Sequence, residues 1–212
     1  NDVDAAITWH PFTSSNIMTF NVLATISSYF KFYGKSSHAS GSPHHGRSAL
    51  DAVELMNVGV NFLREHVEQD TRMHYAITDT GGSSPNVVQS EAAVLHQIRA
   101  PKLSQVREIY ERVLNIAKGA ALMTDTKLEV VFDKASSNVL LNNVLGALLY
   151  EKFKEVGPVP VNDKDLEYAR KIRETLSGKE KHLDEFIANS MFGEVGREVA
   201  KQFSGKEIID II

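Results

Sequence analysis

The stretch from Gly34 to Ala52 joins two segments whose apolar residues repeat with different periods. Before it, residues alternate in the two-residue period of a half-buried strand, with one set formed by Ile26, Ser28, Phe30 and Phe32. After it, apolar residues recur every three or four positions, namely Ala49, Val53, Met56, Val60, Leu63 and Val67. This second period indicates a helix with one apolar stripe facing a core. The joining stretch, GKSSHASGSPHHGRSALDA, carries three histidines. We therefore predict a strand, a polar loop and a helix, an arrangement that often holds functional residues.

The periodicities up to residue 135 predict a βαββαβ order of elements. We expect strands at 23–33, 72–79, 91–99 and 127–134, with helices at 47–67 and 103–122. A split βαβ pair of this kind folds into a four-stranded antiparallel sheet with both helices on one face. The sequence therefore predicts an α+β fold, and one edge strand of its sheet is free to pair with another chain.

From residue 136 the pattern changes to helices separated by glycine and proline. We predict a helix at 139–156, a second one capped by Asn162 or Asp163, and weaker candidates at 182–192 and 194–203. The start, NDVDAAITWHPF, has the pattern of a short buried strand from the interior of a larger domain. We therefore divide the chain into segments 1–22, 23–135 and 136–212.

Composition excludes several classes of partner. Lys and Arg number 23 against 27 Asp and Glu, a formal net charge of -4, so the basic excess of a nucleic-acid binder is absent. The chain has no cysteine, which removes disulfides and thiolate metal sites. It contains no apolar run long enough to cross a bilayer and no cationic, apolar leader. We expect a cytoplasmic protein that binds neither nucleic acid nor membrane.

Three motifs, in this order, resemble the lid, or dimerisation, domain of the metal-dependent exopeptidases and amidohydrolases. The first is GKSSHA, followed by a proline, a histidine and the helix start RSALDA. The second is Gly81-Gly82 followed by Asn86-Val87, and the third is a strand that ends at Arg99. The resemblance covers about residues 23–135. This family includes aminoacylase, carboxypeptidase G and hippurate hydrolase, and the wording of the motifs is most similar to the branch of p-aminobenzoyl-glutamate hydrolase.

The resemblance implies an enzyme with two metal ions, Zn, Mn or Co, that hydrolyses the amide bond of N-acyl or N-aroyl amino acids such as p-aminobenzoyl-glutamate. In that family the lid forms a homodimer through its sheet edge and lies within a catalytic domain. Residues 1–22 would then be an end piece of the catalytic domain, and 136–212 a helical insertion leading back to it. Most metal ligands would lie outside this chain, so we expect the chain alone to be inactive.

The resemblance also assigns roles to four side chains. His10 would bind a metal ion, and His38 would cross the dimer to donate a hydrogen bond to the oxyanion of the partner's reaction. Asn86 and Arg99 would bind the substrate carboxylate. The residues alone also allow plainer roles, which are a hydrogen-bonded His10, a His38 that anchors its own turn, a turn-forming Asn86 and a surface cation at Arg99.

Two further expectations concern the other histidines and the class of protein. We expect the adjacent His44 and His45 to point in different directions, and His74 and His96 to pack within the sheet. The alternative function is a non-catalytic module that dimerises or binds small carboxylates. A serine hydrolase lacks support because the chain has no G-x-S-x-G sequence.

Overall fold

A computed structural model describes residues 2–10, 17, 21–157 and 159–176. The chain separates into two compact units, one formed by residues 20–141 and the other by residues 1–19 with 142–212. The predicted helices at 182–192 and 194–203 lie outside the described residues. No helix within the described ranges is long and apolar enough to cross a membrane.

The unit of residues 20–141 is a four-stranded antiparallel sheet with two helices. The strands are β1 (Ala24–Tyr33), β2 (Arg72–Asp79), β3 (Glu91–Ala100) and β4 (Lys127–Ser136), and the helices are α1 (Ala49–Leu63) and α2 (Leu103–Thr124). The strands lie in the order β2-β3-β1-β4, so β2 and β4 are the edges. The predicted α+β fold with βαββαβ order is confirmed.

Both helices pack on the same face of the sheet. Ser28 of β1 lies directly opposite His96 of β3, and both side chains are buried on the helix side. The Ser28 hydroxyl lies 2.9 Å from the Tyr110 hydroxyl of α2, whereas His96 Nε2 lies 3.0 Å from Asn57 Oδ1 of α1. Two polar pairs therefore tie the central strands to the two helices. The core around them is apolar and includes Phe30, Phe32, Val53, Met56, Val60, Val94, Ile98, Val106 and Val113.

Helix α1 is shorter than its sequence pattern predicts. The Ser48 hydroxyl accepts a hydrogen bond from the Asp51 backbone N–H and caps its start. The helix ends at Leu63 and continues as a 3₁₀ turn from Arg64 to His66. Arg64 there donates to the carbonyl of Met73, at 2.7 Å. This contact with β2 holds the turn, whereas periodicity alone extends the helix to Val67.

The two strand histidines differ in burial. His96 is buried, as predicted, but His74 is exposed, so the prediction that both histidines pack within the sheet is wrong for His74. His74 lies opposite Gln97, on the sheet face away from the helices, because side chains alternate between the two faces of a strand.

The described part of the other unit contains two helices, α3 (Asn143–Val156) and α4 (Asp163–Glu174). The side chain of Asn142 caps α3, and that of Asn162 caps α4. Helix α3 therefore begins four residues after its predicted start. It ends at Gly157, whose positive φ of 78° suits a residue without Cβ.

Candidate functional site

Two loops meet where β1 ends and β3 begins. One loop joins β1 to α1, and the other joins β2 to β3. His38 forms an antiparallel bridge with Val87, and the Ala39 N–H donates to the Asn86 carbonyl at 2.9 Å. The fold thus brings two of the predicted site residues, His38 and Asn86, to the same end of the sheet.

The base of the first loop is closed by backbone pairing. Lys35 and Arg47 exchange two N–H to carbonyl hydrogen bonds of 2.9 Å, and the Gly34 N–H donates to the Ser90 carbonyl at 2.7 Å. A Cβ at Gly34 would overlap the backbone carbonyl of Arg47. Glycine at this position allows the two backbones to approach closely.

Gly34→Ala is expected to lower the free energy of unfolding by about 1–3 kcal/mol, because the added methyl group forces a rigid backbone pair apart. Gly41→Ala, in the same loop, is the matched control, since its Cβ would meet the His38 ring at ordinary contact distances of 3.5–3.9 Å. Urea unfolding of both variants measures the difference. Equal stability of the two would contradict this account of the loop base.

The ring of His38 is exposed, and its hydrogen bonds to described residues all involve Nδ1. The backbone N–H of Gly41 lies 3.0 Å from Nδ1, that of Ser40 3.3 Å, and the Ser40 hydroxyl 3.2 Å. His38 therefore anchors its own turn through Nδ1, the plainer role that the sequence alone allowed. Sequence reasoning missed the part played by Gly41, although a glycine three residues after a side-chain acceptor is a spacing at which local turns form.

His44 and His45 do not point in different directions. They lie in a 3₁₀ turn from Pro43 to His45, and their ring centroids are 4.1 Å apart, so that expectation is wrong. The tight turn brings the two rings into contact. Beside them, Arg47 pairs with Asp125 at 2.8 Å and donates to the Gly46 carbonyl at 2.7 Å.

The turn that carries Asn86 obtains its unusual backbone geometry from glycines. Gly81 and Gly82 have φ values of 76° and 119°, and Asp125 is the one non-glycine residue with positive φ among those described. A Cβ at Gly81 would overlap the Glu91 carbonyl. Asn86 itself is exposed and contributes its backbone carbonyl to the contact with Ala39.

Arg99 lies at the opposite end of the sheet from His38 and Asn86. The register pairs Tyr33 with Glu91 at one end of β1 and Thr25 with Arg99 at the other. Eight residues of strand separate these pairs, roughly 25 Å at the usual rise per residue. Arg99 is exposed and donates to the Gln97 side chain at 3.2 Å. One protomer therefore does not bring Arg99 to the same site as His38 and Asn86.

The described residues do not assemble a metal site. No group of three or more His, Asp or Glu side chains within the described ranges could hold an ion. His10 is exposed and belongs to the other compact unit. A single imidazole does not match the four ligands of a closed zinc site or the three protein ligands of an open one. The chemistry that these residues can perform is hydrogen bonding and carboxylate recognition.

Comparison with known proteins identifies relatives among hydrolases. Residues 21–124 match the family model of the peptidase dimerisation domain. The chain is 48% identical to a p-aminobenzoyl-glutamate hydrolase of Escherichia coli over 181 residues, which cover 85% of this chain and 38% of that protein. It is 30% identical to the Xaa-Arg dipeptidase of Mus musculus over 128 residues, 60% of this chain and 30% of that protein.

Solved structures share the fold. The aminobenzoyl-glutamate utilization protein of Klebsiella pneumoniae superposes with a TM-score of 0.55 and 24% identity, over 65% of this chain and 35% of that one. A hydantoinase/carbamoylase family amidase of Burkholderia ambifaria gives a TM-score of 0.53 and 14% identity, over 67% and 35%. The chain spans little more than a third of these proteins. It contains a peptidase dimerisation domain and belongs to the exopeptidase and amidohydrolase family that carries it, in the branch of p-aminobenzoyl-glutamate hydrolase.

Proposed function

We propose that this chain supplies the lid and dimer interface of a metal-dependent amidohydrolase that cleaves N-acyl or N-aroyl amino acids such as p-aminobenzoyl-glutamate. The observation that carries the proposal is the joining of the His38 and Asn86 loops at one end of the sheet. The 48% identity to the p-aminobenzoyl-glutamate hydrolase of Escherichia coli supports this choice of substrate.

His38 would act through Nε2, because Nδ1 is already occupied as an acceptor. In a neutral ring with such an Nδ1, Nε2 carries the proton and can donate to the oxyanion that forms when water attacks an amide. The Asn86 amide can donate to a carboxylate, and the Arg99 guanidinium can form a bidentate pair with one. Together they provide the donors that an anionic product and transition state require.

The distance between Arg99 and the two loop residues constrains how the site is built. The sheet register separates Arg99 from His38 by more than the length of a small amino-acid substrate. We therefore propose that each active site combines Arg99 of one protomer with His38 and Asn86 of the other. The site would then be complete only in the dimer.

Mixing inactive variants of the whole enzyme tests this arrangement. A dimer of one His38→Ala protomer and one Arg99→Ala protomer would hold one site with both residues intact and one site lacking both. A statistical mixture should recover about a quarter of wild-type activity, because half of the dimers are mixed and each has one working site. Activity is measured as hydrolysis of p-aminobenzoyl-glutamate after unfolding and refolding the two variants together.

Mixing His38→Ala with Asn86→Ala is the matched control. Those two residues would come from the same protomer, so a mixed dimer would have one site lacking His38 and one lacking Asn86, and no activity should return. Recovery in the control but not in the first mixture would overturn the composite site. Wild-type hydrolysis by the single His38→Ala variant would overturn the proposed function itself.

The dimer surface proposed here is the edge strand β2 with helix α1 beside it. Leu55, Val58 and Phe62 form an exposed apolar stripe along α1, and Phe62 is 70% exposed. Tyr75 and Ile77 add partly exposed side chains on the helix face of β2. An open strand edge next to an apolar stripe is typical of a pairing surface.

Phe62→Glu is expected to raise the dimer dissociation constant at least about 30-fold, the loss typical of an apolar anchor in an interface. Sedimentation at micromolar concentration measures it. Phe132→Glu is the matched control, since Phe132 is 63% exposed on the helix face of the opposite edge strand, β4. If the control dissociates and Phe62→Glu does not, the dimer uses the other edge.

For the metal centre, we propose that His10 supplies one imidazole and that ligands from outside the described residues complete a site for two Zn, Mn or Co ions. Bound ions of this kind activate water and polarise a carbonyl. The metal dependence, and the cytoplasmic location expected from a chain without cysteine, stand as parts of this proposal.

A further inference from the structure

The Ser40–Gly41 segment determines which nitrogen of His38 is available to a ligand. Backbone N–H groups can only donate hydrogen bonds, and two of them, from Ser40 and Gly41, point at Nδ1. Nδ1 must therefore be an acceptor without a proton. In a neutral imidazole the proton then resides on Nε2.

The same contacts fix the orientation of the ring. A half-turn about the Cβ–Cγ bond would place a carbon instead of Nδ1 against the Gly41 N–H and leave that donor without its acceptor. The turn is itself held in place, because the Ser42 N–H donates to the His38 carbonyl at 3.0 Å and the Ser37 hydroxyl donates to the Ser42 carbonyl. The segment around the ring is thus a closed turn with a preset donor direction.

We propose that Gly41, assisted by Ser40, is a positioning residue that presents His38 Nε2–H as a hydrogen-bond donor and prevents Nδ1 from acting as a metal ligand or general base. This inference rests on the proposed function for its catalytic consequence, but the tautomer and ring orientation are properties of this chain alone. The device explains how an exposed histidine can keep one defined protonated nitrogen.

The wild-type chain provides the first test, by NMR of ¹⁵N-labelled protein at a pH where His38 is neutral. Long-range correlations within the ring are expected to show the proton on Nε2. A scalar coupling through the hydrogen bond is expected between the Gly41 amide nitrogen and Nδ1. A proton on Nδ1 would overturn the proposal, whatever the activity of the enzyme.

Gly41→Pro removes the N–H donor, and Gly41→Ala retains it. The coupling should disappear in Gly41→Pro and persist in Gly41→Ala, and the proline variant should show a second ring orientation or tautomer. In the whole enzyme, kcat of Gly41→Pro should be at least about tenfold below that of Gly41→Ala, with a smaller change in KM, because a misdirected donor weakens transition-state binding.

These results separate the two levels of inference. Retention of the wild-type ring state in Gly41→Pro would overturn the positioning role. A changed ring state with equal kcat in the two Gly41 variants would leave the geometry intact and overturn the proposed function of His38. If the proline variant does not fold, the coupling through the hydrogen bond in the wild type still decides whether Gly41 positions the ring.

Discussion

His38→Asn in the whole enzyme is expected to lower kcat by roughly a hundredfold to a thousandfold, the usual effect of removing one oxyanion donor. Asparagine tests this sharply because its side-chain oxygen can still accept the Gly41 N–H in place of Nδ1, whereas nothing replaces Nε2. The turn should therefore keep its structure while the donor is lost. Stability of the variant, measured by urea unfolding, should stay near that of the wild type.

Metal content distinguishes this role from metal ligation. The His38→Asn enzyme should retain its full complement of metal by elemental analysis, whereas His10→Ala should lose metal and activity together. His45→Asn is the matched control, because His45 is an exposed histidine of the same loop whose ring packs on His44. Unchanged kcat in His38→Asn, or loss of metal from it, would show that the proposed role of His38 is wrong.

Much of the fold follows from local sequence patterns. The alternation of Phe30 and Phe32 with Lys31 and Tyr33 matches the burial of β1, because a strand packed on one face needs that period. The apolar spacing of α1 and α2 likewise matches their buried faces. These features depend on neighbours in sequence, so the sequence alone predicts them.

Features that depend on distant contacts are less predictable. Helix α1 ends early where Arg64 reaches the carbonyl of Met73, a residue nine positions away on β2. The separation of Arg99 from His38 follows only from the register of β1 with β3. Motif order along the chain places both residues in the lid but does not give their distance in space.

The network around His96 has the same character, since strand alternation predicts the burial of this histidine but not its partners. Its ring lies among Phe30, Tyr75 and Asn57, and Nδ1 is buried without a hydrogen-bond partner among the described residues. Burial, assisted by the nearby positive charge of Arg64, lowers the pKa of His96 to about 4. A buried neutral imidazole cannot gain a proton there without losing solvation that nothing replaces.

This lowered pKa predicts that acid destabilises the lid. The unfolded chain binds a proton at His96 near pH 6.5, whereas the folded chain binds it only near pH 4, so stability is present above pH 6.5 and falls as pH drops through this window. The contribution to the free energy of unfolding that is lost amounts to about 3 kcal/mol, taking 1.36 kcal/mol for each unit of pKa difference. Because His96 ties β3 to α1, the loss would loosen the helix next to the proposed dimer edge.

Urea unfolding between pH 8 and pH 4 measures the effect as a difference between variants. In His96→Gln the amide can still donate to Asn57 but does not titrate, so its stability should fall with pH less steeply than that of the wild type, by about 3 kcal/mol over the window. His74→Gln is the control, because His74 is exposed on the neighbouring strand β2 and should leave the steepness unchanged. Parallel curves for the wild type and His96→Gln would mean that His96 becomes protonated in the folded lid as readily as in the unfolded chain.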